Sequence, residues 1–289
     1  QAYSTPAPLA YILGLMINIA AGKSVYEPTA GLGMLVMGAA KKFTHVNETN
    51  ALRVSLLTGL GFGRVTKMDA RTSDVAAKSH DIIVTNPPFG SIPPTTFSGY
   101  VISKLEHLIA VRALATMKDN GSAALIVGAT LHGSKIPKSD ATFMNYLYNH
   151  YNVVANFEVD GKLYGKQGTT YPIRVIIIHG RKAVPTAERH ATEPVTRYGS
   201  FDEIASLIPE VRNAIEAIRA RVVPGRGVEH DGDTSGRGGT TDDTRRPGGP
   251  TSPDGATNVD DGQPGRPEGV ERGDQGPDRV RGSDVPVGG

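Results

Sequence analysis

Cysteine is missing from all 289 residues, which excludes disulfides, thiolate zinc sites and cysteine nucleophiles and suits a reducing, cytoplasmic setting. Long apolar runs are missing too. The longest, residues 9–21, is too short to span a bilayer and lacks the flanks of a signal peptide, so the chain is expected to be soluble, with no membrane partner. From Pro224 to Gly289 there is no aromatic residue, no Leu or Ile and no Lys. A Gly/Pro/Asp/Arg/Thr mixture of this kind cannot bury enough apolar surface to offset its ordering entropy, so 224–289 is expected to be a disordered tail or linker after a domain at 1–223. The tail holds 8 Arg against 13 acidic residues and the remainder 23 basic against 16 acidic, so the part expected to fold is mildly basic. That surplus is compatible with a polyanionic partner and is not evidence of one. The first residue is Gln1 rather than Met, which suggests a segment of a longer polypeptide.

What is present has a repeating order. Apolar residues recur at helical spacing over 8–20, after Ser4-Thr5-Pro6, which combines N-cap chemistry with an early proline. Short Val- and Ile-rich runs then occur at 24–27, 45–47, 65–68, 81–85, 123–127, 153–159 and 173–179. Helical patterns fill 34–41, 49–57, 100–117 and 140–151, and one more lies at 201–219. Strands alternating with helices imply a mostly parallel sheet covered on both faces, an α/β doubly wound fold, with the last two strands antiparallel.

Three strands in succession end in a polar group that such a fold aims at one crevice. Glu27-Pro28-Thr29-Ala30-Gly31-Leu32-Gly33 follows the first strand, and its glycines let the backbone approach a nucleoside ligand. A dinucleotide fingerprint is excluded by Val36, and Gly22-Lys23-Ser24 is not a phosphate loop because Ile17 stands where a glycine is needed. Glu48 closes the second strand and can accept ribose hydroxyls; Asp69 closes the third and can accept from an adenine amino group or cap the next turn. Asn86-Pro87-Pro88-Phe89 follows the fourth. Its prolines fix the backbone and remove N–H donors, Asn86 offers an amide acceptor, and Phe89 offers a ring to stack on a base.

Together, the glycine loop followed by Asn86-Pro87-Pro88-Phe89 resembles the N6-adenine DNA methyltransferase family. Tyr3-Ser4-Thr5-Pro6 is similar to that family's extra cofactor-binding motif, here on the N-terminal side. The resemblance covers about residues 1–181 and implies a Rossmann-like seven-stranded sheet of the S-adenosylmethionine-dependent methyltransferase type. It implies S-adenosyl-L-methionine as cofactor, no metal, and DNA as partner, with transfer to N6 of a flipped-out adenine. It places Asn86, Pro87, Pro88 and Phe89 at the catalytic corner, and Thr5, Glu27, Pro28, Thr29, Ala30, Gly31, Gly33, Glu48 and Asp69 around the cofactor. Tyr164, in the loop between the last two strands, helps hold the base, with Tyr171 as the alternative. About 40 residues after Lys182 are too few for the family's recognition domain, so specificity is expected from other parts of a longer parent chain, one of the large phage or mobile-element methylase–helicase proteins. The cell implied is bacterial or phage-infected.

Two other readings stand beside this one. Relatives that methylate guanine N2 in RNA or glutamine in proteins use a similar Asn-Pro-Pro-aromatic corner. A non-catalytic cofactor- or DNA-binding module is the other. The extra motif and the Glu-Pro-Thr-Ala loop favour adenine in DNA, and the intact corner favours an enzyme.

Overall fold

A computed structural model describes residues 4–19, 22–129, 136–189 and 195–222. Gln1-Ala2-Tyr3 and the tail from Pro224 lie outside the described residues, as does Ala20 at the end of the first expected helix.

The central sheet contains β1 (Val25–Glu27), β2 (Thr44–Asn47), β3 (Arg64–Thr66), β4 (His80–Thr85), β7 (Met117–Gly128), β8 (Tyr151–Val159), β9 (Ile173–Arg181) and β10 (Arg197–Tyr198). Its strand order is β10-β8-β9-β7-β4-β1-β2-β3. Strands β3, β2, β1, β4 and β7 run parallel, while β9 lies antiparallel between β7 and β8. The seven strands read from the sequence are all present, and the two-residue β10 is added at the edge beside β8. From β1 the chain winds outward to β2 and β3, then crosses back to β4. The gap between β1 and β4 is therefore the topological switch point, where a doubly wound sheet opens a crevice beyond the carboxyl ends of its strands.

Period-two alternation sends neighbouring side chains to opposite faces. Ile82, Val84, Ala124, Ile126, Val175 and Ile177 pack beneath α1 (Ala7–Met16), α5 (Phe201–Ala205) and α6 (Ile208–Val222). Ile83, Ala123, Leu125, Val127, Ile176 and Ile178 pack beneath α3 (Leu105–Ala115) and α4 (Lys138–His150). Both sets are buried, which is why these strands read as continuous apolar runs. Each fully buried aliphatic side chain contributes about 1.5–3 kcal/mol.

Several expected boundaries are corrected. The helix expected at 34–41 is a 3₁₀ turn over Met34–Val36, with Gly38, a poor helix former, close behind it. The helix expected from 100 begins at Leu105, because 100–104 is strand β6 (Tyr100–Lys104), paired antiparallel with β5 (Ser91–Phe97). Ser98 and Gly99, both at positive φ, close that hairpin. The last helix breaks at Ser206-Leu207 into α5 and α6. No helix among the described residues is long and apolar enough to cross a membrane.

Candidate active site

The loops after β1, β2 and β3 are tied together by a residue that sequence reasoning did not select. Asn47, the last residue of β2, is fully buried. Its amide nitrogen donates to the carbonyls of Pro28 and Met68, each at 2.9 Å, and its Oδ1 accepts from the Met68 N–H and the Thr66 hydroxyl, also at 2.9 Å. The Ala30 N–H donates to the Asn47 carbonyl. One side chain thus fixes three strand ends. An asparagine at the end of a buried strand, flanked by apolar strands, was the available signal.

On this frame the chain builds a cleft of about 520 Å³, lined by Thr5, Glu27 to Leu32, Glu48, Asp69 and Asn86 among others. Gly31 and Gly33 both have φ in the left-handed region, +57° and +76°. An added Cβ would also press Gly33 against Leu57 and Phe62 at 3.3 Å, so the loop needs glycine there for backbone and space alike. The Glu48 carboxylate accepts the Gly31 N–H at 2.9 Å and the Asn50 N–H at 2.8 Å, joining the glycine loop to the start of α2 (Ala51–Gly59). Glu27 is buried, and its Oε2 has no hydrogen-bond partner among the described residues. Burial, reinforced by Glu48, pushes the Glu27 carboxyl well above the usual carboxylate range. An unpaired buried carboxyl in a cleft is an anchor for a ligand bearing an ammonium or hydroxyl.

Asp69 lines the same cleft but is engaged locally. Its carboxylate accepts the Arg71 backbone N–H at 2.9 Å and pairs with the Arg71 guanidinium at 2.6 Å. That hydrogen-bonded guanidinium holds its pKa below the usual value. Of the two Asp69 roles weighed from sequence, the turn cap is present in the bond from the Arg71 N–H, and the side chain also lines the cleft.

A second cavity of about 400 Å³ adjoins the first, and Asn86 and Pro88 line both. The Asn86 amide nitrogen donates to the Thr5 hydroxyl at 3.1 Å, which leaves its Oδ1 for another donor. Phe89 and Tyr171 are 39% and 43% exposed, and their rings meet edge to face with centroids 6.5 Å apart. The Tyr171 hydroxyl donates to the Ala129 carbonyl at 3.0 Å, fixing that ring. Tyr164 lines the cavity as well but is only 2% exposed, so it forms wall rather than rim. Burial raises its phenol pKa, and Thr5 is the polar neighbour of its hydroxyl. Thr5 thus sits between the Asn86 corner and Tyr164, while Tyr3 lies outside the described residues.

Also unselected from the sequence was Glu106, at the start of α3. It is 3% exposed, lines the second cavity, and accepts the Gly90 N–H at 3.1 Å through Oε2. No group of His, Asp and Glu among the described residues could hold a metal ion.

No family model matches the chain, and no curated protein matches it. Solved structures do. A Listeria monocytogenes protein assigned to the class I S-adenosylmethionine-dependent methyltransferases shares 14% identity, with 73% of this chain and 71% of that chain covered and a TM-score of 0.52. A protein assigned as the modification subunit of a type I restriction enzyme from Vibrio vulnificus shares 16% identity over 77% of this chain and 54% of that one, with a TM-score of 0.48. The tRNA m1G37 methyltransferase of M. jannaschii shares 15% identity over 62% of this chain and 50% of that one, with a TM-score of 0.40. The chain therefore spans about half the length of the last two. Its fold is that of the class I S-adenosylmethionine-dependent methyltransferases.

Proposed function

We propose that residues 1–223 form a methyltransferase domain that uses S-adenosyl-L-methionine to methylate the exocyclic N6 of adenine in DNA. The observation that carries this reading is Asn86, held by Thr5 at the junction of two cavities with its amide oxygen left as an acceptor. The first cavity suits the cofactor. Gly31 and Gly33 give close backbone approach, the unpaired Glu27 carboxyl accepts a donor, Glu48 has lone pairs left for ribose hydroxyls, and Asp69 faces the adenine end. When bound, S-adenosyl-L-methionine supplies a sulfonium methyl whose carbon–sulfur bond breaks as a carbon–nitrogen bond forms, leaving a neutral thioether and releasing one amino proton to solvent.

The second cavity suits a flipped-out base. Phe89 and Tyr171 offer exposed ring surface at its rim, and Tyr164 closes its wall. An exocyclic amino group is a poor nucleophile because its lone pair is delocalised into the ring. By accepting its two N–H bonds, the Asn86 side chain and the Pro87 carbonyl turn that lone pair out of the ring plane and toward the first cavity. Orientation and preorganised acceptors supply the catalysis. Target choice comes from other parts of a longer polypeptide.

Incubation with isotopically labelled cofactor and DNA, RNA or protein, followed by identification of the methylated product, tests the proposal. N6-methyladenine in DNA is expected. Label in guanine of RNA or in glutamine of protein would overturn the substrate, and the absence of label in every acceptor would overturn the enzyme.

A further inference from the structure

The Asn86 corner accounts for the amino group of the base and for nothing else on its edge. Adenine presents a ring nitrogen acceptor, N1, beside that amino group, whereas guanine presents an N–H donor beside its own. A cavity that selects between them needs a group of matching sense beside the Asn86 corner, and Glu106 lines the same cavity as Asn86. Its Oε2 is already an acceptor, because the Gly90 N–H donates to it at 3.1 Å. Its Oε1 lies near Gly128: a Cβ built on that glycine would meet Oε1 at 3.7 Å, the Tyr171 ring at 3.6 Å and the Phe89 ring at 3.8 Å. Gly128 also lines the cavity, so the carboxyl and the two rings converge on one spot of it.

We infer that Glu106 is a specificity-determining residue for the base, presenting a protonated Oε1 that donates to N1 of adenine while Oε2 stays on the Gly90 N–H. The inference rests on the function proposed above. Burial raises the Glu106 carboxyl above its ordinary value against the lowering effect of hydrogen bonds from its own and the Gly90 backbone N–H and of Lys104 on β6, and Asp140 on α4 adds to the rise. Lys104 is itself paired with Asp140 at 2.6 Å, and His107 lies 3.8 Å from the same carboxylate. The protonated acid suits an amino group beside a ring acceptor. Ionised, the same group would suit guanine and repel N1 of adenine. Because Oε2 accepts the Gly90 N–H, the proton of the neutral acid falls on Oε1.

Substitution separates this role from a structural one. In Glu106→Gln the amide oxygen takes the Gly90 N–H and the amide nitrogen faces the base as a permanent donor. Wild-type protein is expected to lose adenine methylation as pH rises through the Glu106 ionisation, whereas E106Q keeps the rate within a few-fold and loses that limb. E106A is expected to lower kcat/KM on adenine-containing DNA by roughly 10- to 100-fold with affinity for S-adenosyl-L-methionine unchanged, and the retained fold of E106Q separates this loss from any lowering of melting temperature in E106A. Transfer to adenine with the same rate in E106A, or the same alkaline limb in E106Q, would overturn this inference alone. A wild-type protein that methylates no adenine in DNA overturns the proposed function as well.

Discussion

The amide nitrogen of Asn86 donates to the hydroxyl of Thr5 at 3.1 Å, joining the end of β4 to the segment that leads into α1. In this contact the amide nitrogen is engaged by Thr5, which leaves the oxygen as the acceptor. It also explains why a Ser-Thr-Pro segment precedes the first helix: Thr5 is buried against the corner, and Pro6 starts the helix without a side-chain cap.

Removal of the Asn86 amide should abolish transfer and leave cofactor affinity within a few-fold, because this side chain orients the acceptor. Asn86→Ala is the direct test. Thr5→Val should have an intermediate effect, lowering kcat by about 5- to 30-fold through loss of one hydrogen bond, worth about 1–2 kcal/mol. Normal turnover in Asn86→Ala would remove the basis of the assignment.

Glu48 and Asp69 should differ in their effect on the cofactor. Glu48 accepts the Gly31 and Asn50 N–H groups, so Glu48→Ala loses both a ligand contact and the tie that shapes the glycine loop. Asp69 is bound to Arg71, and its carboxylate is shared between that pair and the cleft. Calorimetry should show a loss of roughly 2–3 kcal/mol of binding for Glu48→Ala and about 1 kcal/mol or less for Asp69→Ala. The reverse ranking would mean that the ribose lies against β3 rather than β2.

Stability should depend most on a polar residue. Asn47→Ala deprives the buried Pro28 carbonyl and the half-buried Met68 carbonyl, Met68 N–H and Thr66 hydroxyl of this partner, though the Thr66 hydroxyl keeps His45. A loss of about 2–4 kcal/mol is expected in urea denaturation, compared with less than about 0.5 kcal/mol for an exposed change such as Lys166→Ala. Equal stability of the two variants would show that the three loops are held by other contacts.

The difference between Asn47 and Asn86 shows what was legible from sequence. Asn86 heads a tetrapeptide whose prolines mark it, and the order of strands placed that corner, the glycine loop, Glu48 and Asp69 at one crevice. Asn47 carries no such local pattern; its importance is a set of hydrogen bonds to residues 19 and 21 positions away. Glu106 was hidden for a related reason. The run from Tyr100 looked helical because Ile102, Leu105, Leu108 and Ile109 suit that period, yet pairing with β5 makes its first five residues a strand and puts Glu106 at the true helix start. Pairing partners distant in sequence decide such boundaries, and periodicity does not contain them.

Acid should destabilise the fold before most surface carboxylates titrate. Burial holds His45, His80 and His179 down to about 4 and His107 to about 3, against an ordinary value of 6.5. Between those limits the unfolded chain binds more protons than the folded one, so stability falls as pH drops from about 6.5 toward 4. At its steepest the fall is about 1.4 kcal/mol per pH unit for each histidine. Glu27 and Glu106, whose carboxyls are raised, work in the opposite direction and reduce the net effect. Denaturation free energies at pH 7.5, 6 and 5 should decline in that order; a flat series would mean that these histidines protonate without cost.

Blocking the second cavity should separate substrate entry from cofactor binding. Gly128 ends β7 at the spot where Phe89, Tyr171 and Glu106 converge, and the distances from a built Cβ, 3.6 to 3.8 Å, are ordinary contacts. Alanine therefore fits there without strain. Leucine extends beyond that contact shell into the cavity and competes with the base for the space between the rings. Neither change touches the first cavity, whose lining does not include Gly128. Gly128→Ala should keep most of its activity, and Gly128→Leu should lose roughly 100-fold in transfer, since displacement of reacting groups by about an ångström has that effect. Both should bind S-adenosyl-L-methionine within two-fold of wild type. Because Glu106 and the rings would remain in place, loss of cofactor affinity in Gly128→Leu would show that the two cavities act as one site, and full activity would show that the acceptor does not enter the second.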